Sequence, residues 1–327
     1  MVHHVSVSDG RVKVQLTLHQ QDSGVLPELE RRIEAVLRPL GALAVAVEAI
    51  APASAPHSAP RGTPDPWAGQ VRLASVRHVI AVGAGKGGVG KSTVAVNLAL
   101  ALARDGLRTG LLDADIHGPS APILLGIEDG AKQVKMSPEK HILPIQAHGL
   151  PMMSFGFFLG EGSPAIWRGP MVSKAVKQFA RGVAWPELDV LVVDLPPGTG
   201  DIPLSLVQAV HLSGAVIVTQ PPRVAAAEAR KAVEMFRTLE VKVLGVVENM
   251  SGPFGRGAGR TVAIEMGVPF LGEVPFDERI VAEGDEGTPT MVARPESASA
   301  AAFNEVARAV ADALGWQHVS APDETRA

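Results

Sequence analysis

The stretch HVIAVGAGKGGVGKSTVAVNLALA, residues 78–101, decides the fold. A short apolar run precedes a cluster of glycines, and a long segment rich in Ala and Leu follows them. Glycine permits a tightly curled backbone, and a strand, a glycine-rich turn and a helix in succession aim backbone N–H groups at one point. Residues 85–92 fit the pattern Gly-x4-Gly-Lys-Ser, which cradles phosphates in this context. The sequence therefore predicts a nucleotide phosphate loop at the carboxyl end of a buried strand.

The composition narrows the class of protein. The chain has 327 residues, a hydrophobic fraction of 46% and a formal net charge of −4, so we expect a sizeable core and no nucleic-acid partner. The N-terminus lacks a basic segment followed by an apolar core, and no apolar run approaches the ~18 residues of a membrane helix. We therefore expect a globular, cytoplasmic protein with no membrane partner.

Three segments are predicted along the chain. Residues 1–50 combine short alternating strands with one helical stretch, LPELERRIEAVLRPLG, and are predicted to form a ββαβ module. Residues 51–70, rich in Pro, Ala and Ser, cannot build a core and are predicted to be a linker. Residues 71–327 are predicted to form the phosphate-loop domain.

The third segment has the pattern of a doubly wound α/β fold with a mostly parallel sheet. Continuous runs rich in β-branched residues, which indicate strands buried on both faces, alternate with helical segments. In such sheets ligands bind at the carboxyl ends of the strands. The predicted strands are HVIAVGA, RTGLLDAD, LDVLVVDL, GAVIVTQ and VKVLGVVEN, and the helices include TVAVNLALALARDG and RVAAAEARKAVEMFRTLE.

The phosphate loop supplies most of the predicted nucleotide contacts. Lys91 is expected to neutralise the β and γ phosphates of ATP, Ser92 to ligate Mg²⁺, and Thr93 to donate a hydroxyl. Backbone N–H groups of the turn complete the cradle. The predicted nucleotide-binding residues of the loop are Gly85, Lys86, Gly87, Gly88, Val89, Gly90, Lys91, Ser92 and Thr93.

Further polar residues follow the ends of other predicted strands. Asp115, in LLDADIHGPS, is predicted to orient the attacking water, whereas Asp113 fits a turn-capping role better. Asp194, after LDVLVV, is the candidate Walker B carboxylate that holds Mg²⁺ through a water. We expect Gly198 to donate its N–H to the γ phosphate and Asn249 to hydrogen-bond the adenine edge.

A second lysine, Lys86, follows the first glycine of the loop. A lone lysine in such a place is usually a solvated surface residue. The loop as a whole, however, resembles the deviant Walker A form, Lys-Gly-Gly-x-Gly-Lys-Ser/Thr, of the MinD, ParA, nitrogenase iron protein and Mrp families. The resemblance implies that Lys86 acts as a catalytic residue on the phosphates of a partner subunit, and therefore that the protein is a homodimer.

Several segments resemble one of these families, the Mrp/ApbC ATPases that carry iron-sulfur clusters. The resemblance covers residues 77–290, and the N-terminal module is similar to part of the MIP18-like domain often fused to this family. It implies slow hydrolysis of ATP and partners among iron-sulfur assembly proteins or their apo-protein clients. The segments are LLDADIHGPSAPILLGI, IWRGPMVSKAV, LVVDLPPGTGD, EARKAVEMFR, GVVENMSG and GVPFLGEVPFD.

The cluster ligands of that family are missing. The family carries a Cys-x-x-Cys pair after Asn-Met-Ser, but here the stretch reads NMSGPFGRGAGRTVAIEMG, and the whole chain contains no cysteine. Iron-sulfur clusters need thiolates, with histidine as an occasional substitute, and this segment offers neither. We therefore expect that the chain alone binds no iron-sulfur cluster. The run TQPPR also departs from the Thr-Thr-Pro-Gln run that the family tends to carry.

Three functions remain open at this point. The first is a dimeric Mrp-family ATPase that works in iron-sulfur maturation. The second, a positioning or partitioning ATPase of the MinD or ParA kind, would need a membrane-binding tail or a basic DNA-binding face, whereas the C-terminus predicts a core-facing helix and an acidic tail. The third, a nucleotide-dependent scaffold, would not need the retained lysines and carboxylates. The predicted core stripe of the C-terminal helix is Phe303, Val306, Val310 and Leu314.

Overall fold

Two compact units, Met1–Pro66 and Trp67–Ala327, divide the chain in the computed structural model. The described residues are 2–8, 11–17, 26–40, 42–50, 70–127, 129–158, 176–177, 179 and 181–316. Residues 51–69 of the predicted linker lie outside the described residues, as do most of the segment IWRGPMVSKAV and the acidic tail.

The N-terminal unit is a three-stranded sheet with one helix. Strands β1 (Val2–Ser8) and β2 (Arg11–Thr17) pair antiparallel, helix α1 (Leu26–Leu37) follows, and β3 (Ala44–Ile50) pairs parallel to β2. The period-two alternation of β2 buries Val12 and Val14, against which the apolar residues of α1 pack. The ββαβ order expected from the sequence is present.

The larger unit is built on an eight-stranded sheet. Long apolar runs form its central strands because both faces of those strands are covered. A two-stranded ribbon, β6 with β7, lies outside it. The strands are β4 (Val76–Gly83), β5 (Thr109–Asp113), β6 (Lys135–Met136), β7 (Ile142–Leu143), β8 (Ile145–Ala147), β9 (Leu150–Ser154), β10 (Leu188–Asp194), β11 (Gly214–Thr219), β12 (Val243–Ser251) and β13 (Phe270–Pro275).

The order of the sheet is β13-β12-β11-β4-β10-β5-β9-β8. All neighbours pair parallel except β8 and β9, which pair antiparallel. The chain moves from β4 to one side of the sheet and later returns to the other side, so the topology reverses next to β4. Ligands of doubly wound sheets bind at such a reversal. The predicted doubly wound, mostly parallel α/β fold is confirmed.

Helices link the strands and cover the sheet. The first helix of the unit packs against the C-terminal helix, whose residues Phe303, Val306 and Val310 are fully buried as predicted, with Leu314 packed at the margin of the core. The helices are α2 (Lys91–Arg104), α3 (Ala121–Leu124), α4 (Gly130–Gln133), α5 (Asp201–Ala209), α6 (Arg223–Thr238), α7 (Ala258–Met266), α8 (Glu278–Asp285), α9 (Thr290–Ala293) and α10 (Ala298–Ala313).

The sequence did not predict β8, β9 or β13 as strands. The run of β9, LPMMS, has a proline and two methionines in place of β-branched residues, yet every residue of it is buried beside β5. Its strand conformation comes from that neighbour and not from local preference. In the part of the chain that the structure describes, no helix has the length and apolar character needed to span a bilayer.

Candidate functional site

The phosphate loop lies between β4 and α2, at the reversal of the sheet. A Cβ at residue 85 would overlap the backbone carbonyl of Glu228 in α6, so the close approach of that helix requires glycine there. Gly90 has φ +77 and precedes α2, and a Cβ at this position would overlap the side-chain amide of Asn249. These two glycines are therefore needed for packing as well as for the curl of the loop.

Lys91 lies beneath the loop in a buried ionic cluster. Its Nζ donates to Asp194 Oδ1 at 2.6 Å and to Ser92 Oγ at 3.2 Å, and lies 3.5 Å from Asp115 Oδ2. The parallel register of β10 with β4 and β5 brings the strand ends together, since Asp194 pairs with Val82 on one side and Asp113 on the other. The structure thus brings together the lysine, the serine and both candidate carboxylates.

Burial shapes the charges of this cluster. It raises the pKa of Asp113 to about 8, with the adjacent Asp194 adding to the effect. Burial also raises the pKa of Asp194, against the opposing influence of Lys91. The second oxygen of that carboxylate, Asp194 Oδ2, is buried and has no hydrogen-bond partner among the described residues. The site therefore holds carboxylate groups that a further cation would stabilise.

Asp113 supports the turn that carries Asp115. Its Oδ1 accepts the N–H of Asp115 at 3.0 Å, and its Oδ2 accepts the N–H of Ala121 and the hydroxyl of Ser154, both at 3.2 Å. Asp115 Oδ1 in turn accepts the N–H of His117 at 3.3 Å. Asp113 thus caps the turn that follows β5, which leaves Asp115 Oδ2 facing Lys91.

The donor set fits Mg²⁺. Magnesium takes few protein ligands, prefers hydroxyl and carboxylate oxygens and keeps several waters. Ser92 Oγ and Asp194 Oδ1 both accept from the Lys91 ammonium, and Asp194 Oδ2 has no partner among the described residues. The cluster sets one ammonium against the carboxyl groups of Asp113, Asp115 and Asp194. Within the described ranges, no group of three His, Asp or Glu side chains forms a metal site by itself.

Two predicted residues have positions that the sequence did not specify. Gly198, with φ +92, already donates its N–H to the carbonyl of Ala84 at 2.8 Å, so a γ-phosphate contact would require that bond to break. Lys86 is partly exposed and pairs with no acidic side chain of the described residues. Both assignments remain predictions.

Asn249 lies against the phosphate loop. Its Nδ2 donates to the carbonyl of Val89 at 2.9 Å, and the side chain is buried. Asn249 also borders an open pocket next to Thr93 at the start of α2. Apolar side chains supply most of the remaining walls, as is typical of sites for flat aromatic ligands. The walls include Leu124, Met250, Pro275, Phe276, Ile280 and Val281.

Residues 252–257, which we call the 252–257 loop, follow Asn-Met-Ser, where the family carries its Cys-x-x-Cys pair and this chain has no cysteine. The loop begins directly after β12, closes on itself through two hydrogen bonds between Gly252 and Gly255, and exposes Phe254. The buried carboxylate of Glu248 accepts the N–H groups of Gly257 at 2.9 Å and Gly259 at 2.6 Å. A single buried side chain therefore holds the far end of this loop at the start of α7.

Sequence reasoning missed two residues at this site. Glu248 was predicted only as a strand residue, and that prediction did not show that its carboxylate accepts N–H groups at the start of the next helix, α7. Gln220 follows β11 and donates from Nε2 to the carbonyl of Gly88 at 3.0 Å. The departure of TQPPR from the family run was the available signal for Gln220, because a changed residue at a strand end lies at the ligand-binding edge of the sheet.

Comparisons with known proteins agree with this geometry. The profile of the ParA family described as NUBPL iron-transfer P-loop NTPase matches residues 75–311. The chain is 47% identical over 252 residues to the iron-sulfur cluster carrier protein of Synechocystis sp., which covers 73% of this chain and 71% of that protein. It is 40% identical over 336 residues to the iron-sulfur cluster carrier protein of Escherichia coli K12, covering 99% and 88% respectively.

Solved structures give the same picture. The nucleotide-binding protein of Archaeoglobus fulgidus in complex with ADP superposes with a TM-score of 0.58 at 38% identity, covering 66% of this chain and 88% of that chain. MinD of Pyrococcus horikoshii in complex with Mg-ADP has a TM-score of 0.57 at 23% identity, covering 75% and 99%, and at this identity the likeness shows the fold alone. Fold, site and relatives together confirm the resemblance noted in the sequence: the chain belongs to the Mrp/ApbC family of iron-sulfur cluster carrier P-loop NTPases.

Proposed function

We propose that the chain is a homodimeric ATPase that binds MgATP, hydrolyses it slowly and serves iron-sulfur protein maturation without holding the cluster itself. The observation that carries this proposal is the buried cluster of Lys91, Asp115 and Asp194 beneath the phosphate loop, with one carboxylate oxygen left unpaired. A purely structural ion pair would have no reason to leave that oxygen without a partner.

Nucleotide binding follows from a change of partner by Lys91. In this structure its ammonium is hydrogen-bonded to Asp194. Phosphate oxygens above the loop compete for the same ammonium, and charge-assisted hydrogen bonds to phosphate are stronger than neutral ones. When Lys91 turns to the phosphates, Asp194 is free to hold Mg²⁺ through a water, together with Ser92 Oγ. The bound ion would neutralise negative charge on the β and γ phosphates.

Base recognition is supported by the pocket beside Thr93. The Nδ2 of Asn249 is occupied by the Val89 carbonyl, whereas its Oδ1 accepts no hydrogen bond from the described residues. An amide oxygen can accept the exocyclic amino group of adenine. Guanine presents a carbonyl at the equivalent position, which an amide oxygen would repel, so the pocket favours ATP over GTP.

Hydrolysis requires a group that orients the attacking water. Asp115 is suited to it because its Oδ1 is held by the turn while its Oδ2 faces Lys91. Hydrogen bonds to Asp113 fix the backbone of this turn, so Asp115 is positioned before nucleotide arrives. A monomer lacks the Lys86 of a partner subunit, so its turnover should be lower still than that of the dimer.

The homodimer rests on Lys86. This partly exposed residue has no acidic partner among the described residues. The proposal assigns this lysine to the phosphates of the second subunit, where it would stabilise charge in the transition state. Each active site would then be complete only in the dimer.

The role in iron-sulfur maturation comes from the family. Relatives of this chain are named iron-sulfur cluster carrier proteins, and the chain itself has no cysteine. The 252–257 loop offers glycines, a phenylalanine and an arginine but no soft donor. We therefore assign to this chain the nucleotide cycle and to another protein the ligands of the cluster.

The main test separates binding from turnover. Asp115→Asn should retain MgATP affinity within about threefold and lose at least ~100-fold in phosphate release, the range expected for a residue that positions the reacting group. Asp129→Asn, in an exposed pair with Lys132, is the matched control and should behave as the parent. Calorimetry measures binding, and a coupled assay measures phosphate. Undiminished phosphate release in Asp115→Asn would contradict the proposal.

A mixing experiment tests the dimer. Lys86→Ala and Asp115→Asn subunits should each be inactive alone. A mixed dimer contains one site with its own Asp115 and the partner subunit's Lys86, so part of the activity should return. Absence of recovery in dimers that are proven to have exchanged subunits would rule out action across the interface.

Anaerobic reconstitution with iron and sulfide tests the missing ligands. We expect no stable [4Fe-4S] cluster, with or without ATP, because no thiolate is available. A brown species absorbing near ~400 nm with about four irons per dimer, the behaviour of a cysteine-ligated cluster, would overturn this part of the proposal.

A further inference from the structure

Two side chains from neighbouring strand ends hold consecutive carbonyls of the phosphate loop. Gln220 Nε2, directly after β11, donates to the Gly88 carbonyl at 3.0 Å, and Asn249 Nδ2, near the end of β12, donates to the Val89 carbonyl at 2.9 Å. Strands β11 and β12 are parallel neighbours in the sheet, which places both amides on one side of the loop.

Because the peptide bond is planar, the direction of each held carbonyl also sets the direction of the N–H group that follows it. In a trans peptide the C=O and the following N–H point in opposite directions, and the described chain contains no cis peptide bonds. A Gly88 carbonyl held toward Gln220 therefore turns the Val89 N–H away from it. In the same way, the Val89 carbonyl held by Asn249 turns the Gly90 N–H away. Both N–H groups then point away from the amides of Gln220 and Asn249.

The Gly88–Val89 peptide needs such support. Gly88 is exposed with φ +78, and a Cβ built there would meet no atom within 4 Å. The Val89 side chain is buried in the core and anchors one end of this peptide, whereas at the exposed Gly88 end the carbonyl is held by Gln220. Without a donor on the Gly88 carbonyl, the peptide can rotate and lose the alignment of its N–H group with a bound anion.

We infer that Gln220 is a positioning residue of the phosphate loop: its amide locks the Gly88–Val89 peptide so that the Val89 N–H points at the β-phosphate of a bound nucleotide. Gln220 touches neither the reacting atoms nor Mg²⁺. The inference rests on the proposed nucleotide-binding function and extends it to a residue at which this chain departs from its family.

The same amide also reaches the segment beyond Asn249. Gln220 Nε2 contacts the sulfur of Met250, a residue with the left-handed φ of +57 that begins the approach to the 252–257 loop. A thioether sulfur is a weak acceptor, so the carbonyl of Gly88 is the stronger partner. The amide nitrogen carries two N–H groups, so Gln220 can donate to the Gly88 carbonyl and also contact Met250.

The test removes the donor without changing the shape of the side chain. Gln220→Met keeps a similar length and carries no N–H, and Gln220→Ala removes the side chain. Gln146→Met, at an exposed position of β8 away from the loop, is the matched control. Both Gln220 variants should bind MgADP about 3- to 10-fold more weakly, the factor that corresponds to one net hydrogen bond. AMP, which has no β-phosphate, should lose less than about twofold.

A measurement without nucleotide tests the positioning role of Gln220 separately from the proposed nucleotide-binding function. In amide NMR spectra of the protein without ligand, Gln220→Met should shift the Val89 and Met250 resonances, and Gln146→Met should leave them in place. If the parent protein binds no MgADP, the proposed function fails, and the spectra alone decide whether Gln220 holds the peptide. Unchanged Val89 resonances, or an equal loss of ADP and AMP affinity, would overturn the inference.

Discussion

Two ionic clusters of the larger unit each combine one cation with two carboxylates, but they differ in burial and in the hydrogen bonds of the carboxylates. The phosphate cluster places Lys91 between Asp115 and Asp194. The arginine cluster likewise places one cation, Arg294, between two carboxylates, Asp277 and Glu283. Asp277 is the N-cap of α8, Glu283 lies within α8, and Arg294 directly follows α9. Composition alone therefore does not distinguish a ligand site from a structural ion pair.

Hydrogen bonds make the difference. In the arginine cluster, Asp277 accepts from the N–H of Arg279 and the hydroxyl of Ser299, while Glu283 accepts from the hydroxyl of Thr290 and from Arg294. Every carboxylate oxygen of this cluster has a donor. In the phosphate cluster, Asp194 Oδ2 has none among the described residues.

The pKa values follow the same division. At Asp277 and Glu283 burial acts against ionisation, but Arg294 and the hydroxyl donors outweigh it and lower both pKa values. At Asp113 and Asp194 burial dominates and raises the pKa. A satisfied cluster stabilises the fold, whereas a cluster short of positive charge is prepared for a ligand that supplies it.

The largest expected effect is on nucleotide affinity. Lys91→Ala should weaken MgADP binding about 1,000-fold, because two charge-assisted hydrogen bonds to phosphate are lost. Lys132→Ala, at an exposed pair, should bind as the parent does. Isothermal titration calorimetry measures both. If Lys91→Ala lowered MgADP affinity by less than about fivefold, the phosphates would bind elsewhere, and the phosphate cluster would not be the ligand site.

The second effect is on stability. Arg294→Ala should lower the free energy of unfolding by about 2–3 kcal/mol, less than for a fully buried pair because 25% of the arginine side chain is exposed. Arg256→Ala breaks an exposed pair with Glu273 and should change it by less than about 0.5 kcal/mol. Urea unfolding, analysed with the same m value for the parent and both variants, measures these changes in unfolding free energy. Equal decreases in unfolding free energy for Arg294→Ala and Arg256→Ala would show that the arginine cluster does not stabilise the fold more than an exposed ion pair does.

Acid titration sharpens the contrast. The lowered pKa values of Asp277 and Glu283 stabilise the folded state above their ordinary values near ~4, and this stabilisation is lost as the pH falls through the folded-state values. Arg294 is a cause of both lowered pKa values, so its contribution disappears once these carboxyl groups are protonated. The cost of Arg294→Ala in unfolding free energy should therefore be smaller at pH ~3 than at pH ~7. A cost independent of pH between these values would contradict the assigned cause.

The smallest effect compares two neutral replacements. Asp194→Asn should change the unfolding free energy by less than about 1 kcal/mol, because it removes a buried charge while Asp115 remains near Lys91. Asp277→Asn should cost about 1–2 kcal/mol, because its satisfied hydrogen bonds to Arg294 and Ser299 are lost. If urea unfolding showed a larger cost for Asp194→Asn than for Asp277→Asn, the phosphate cluster would be the one that stabilises the fold.

Local patterns in the chain were sufficient for much of the fold and of the site. The β-branched runs of β4, β5, β10, β11 and β12 specify buried parallel strands because both faces must be apolar. The glycine spacing before Lys91 specifies a curled loop. Since parallel strands end at the same edge, the carboxylates that follow β5 and β10 were expected to meet, and they do so at Lys91.

Long-range packing alone settled the rest. The strand β9 forms from LPMMS because it lies beside β5, and no local preference reveals this. The arginine cluster and the hydrogen bonds from Gln220 and Asn249 to the loop join residues far apart in the chain. Whether a buried carboxylate is satisfied depends on donors brought from other elements, so the partner-free oxygen of Asp194, and with it the distinction between site and scaffold, emerges only in the folded protein.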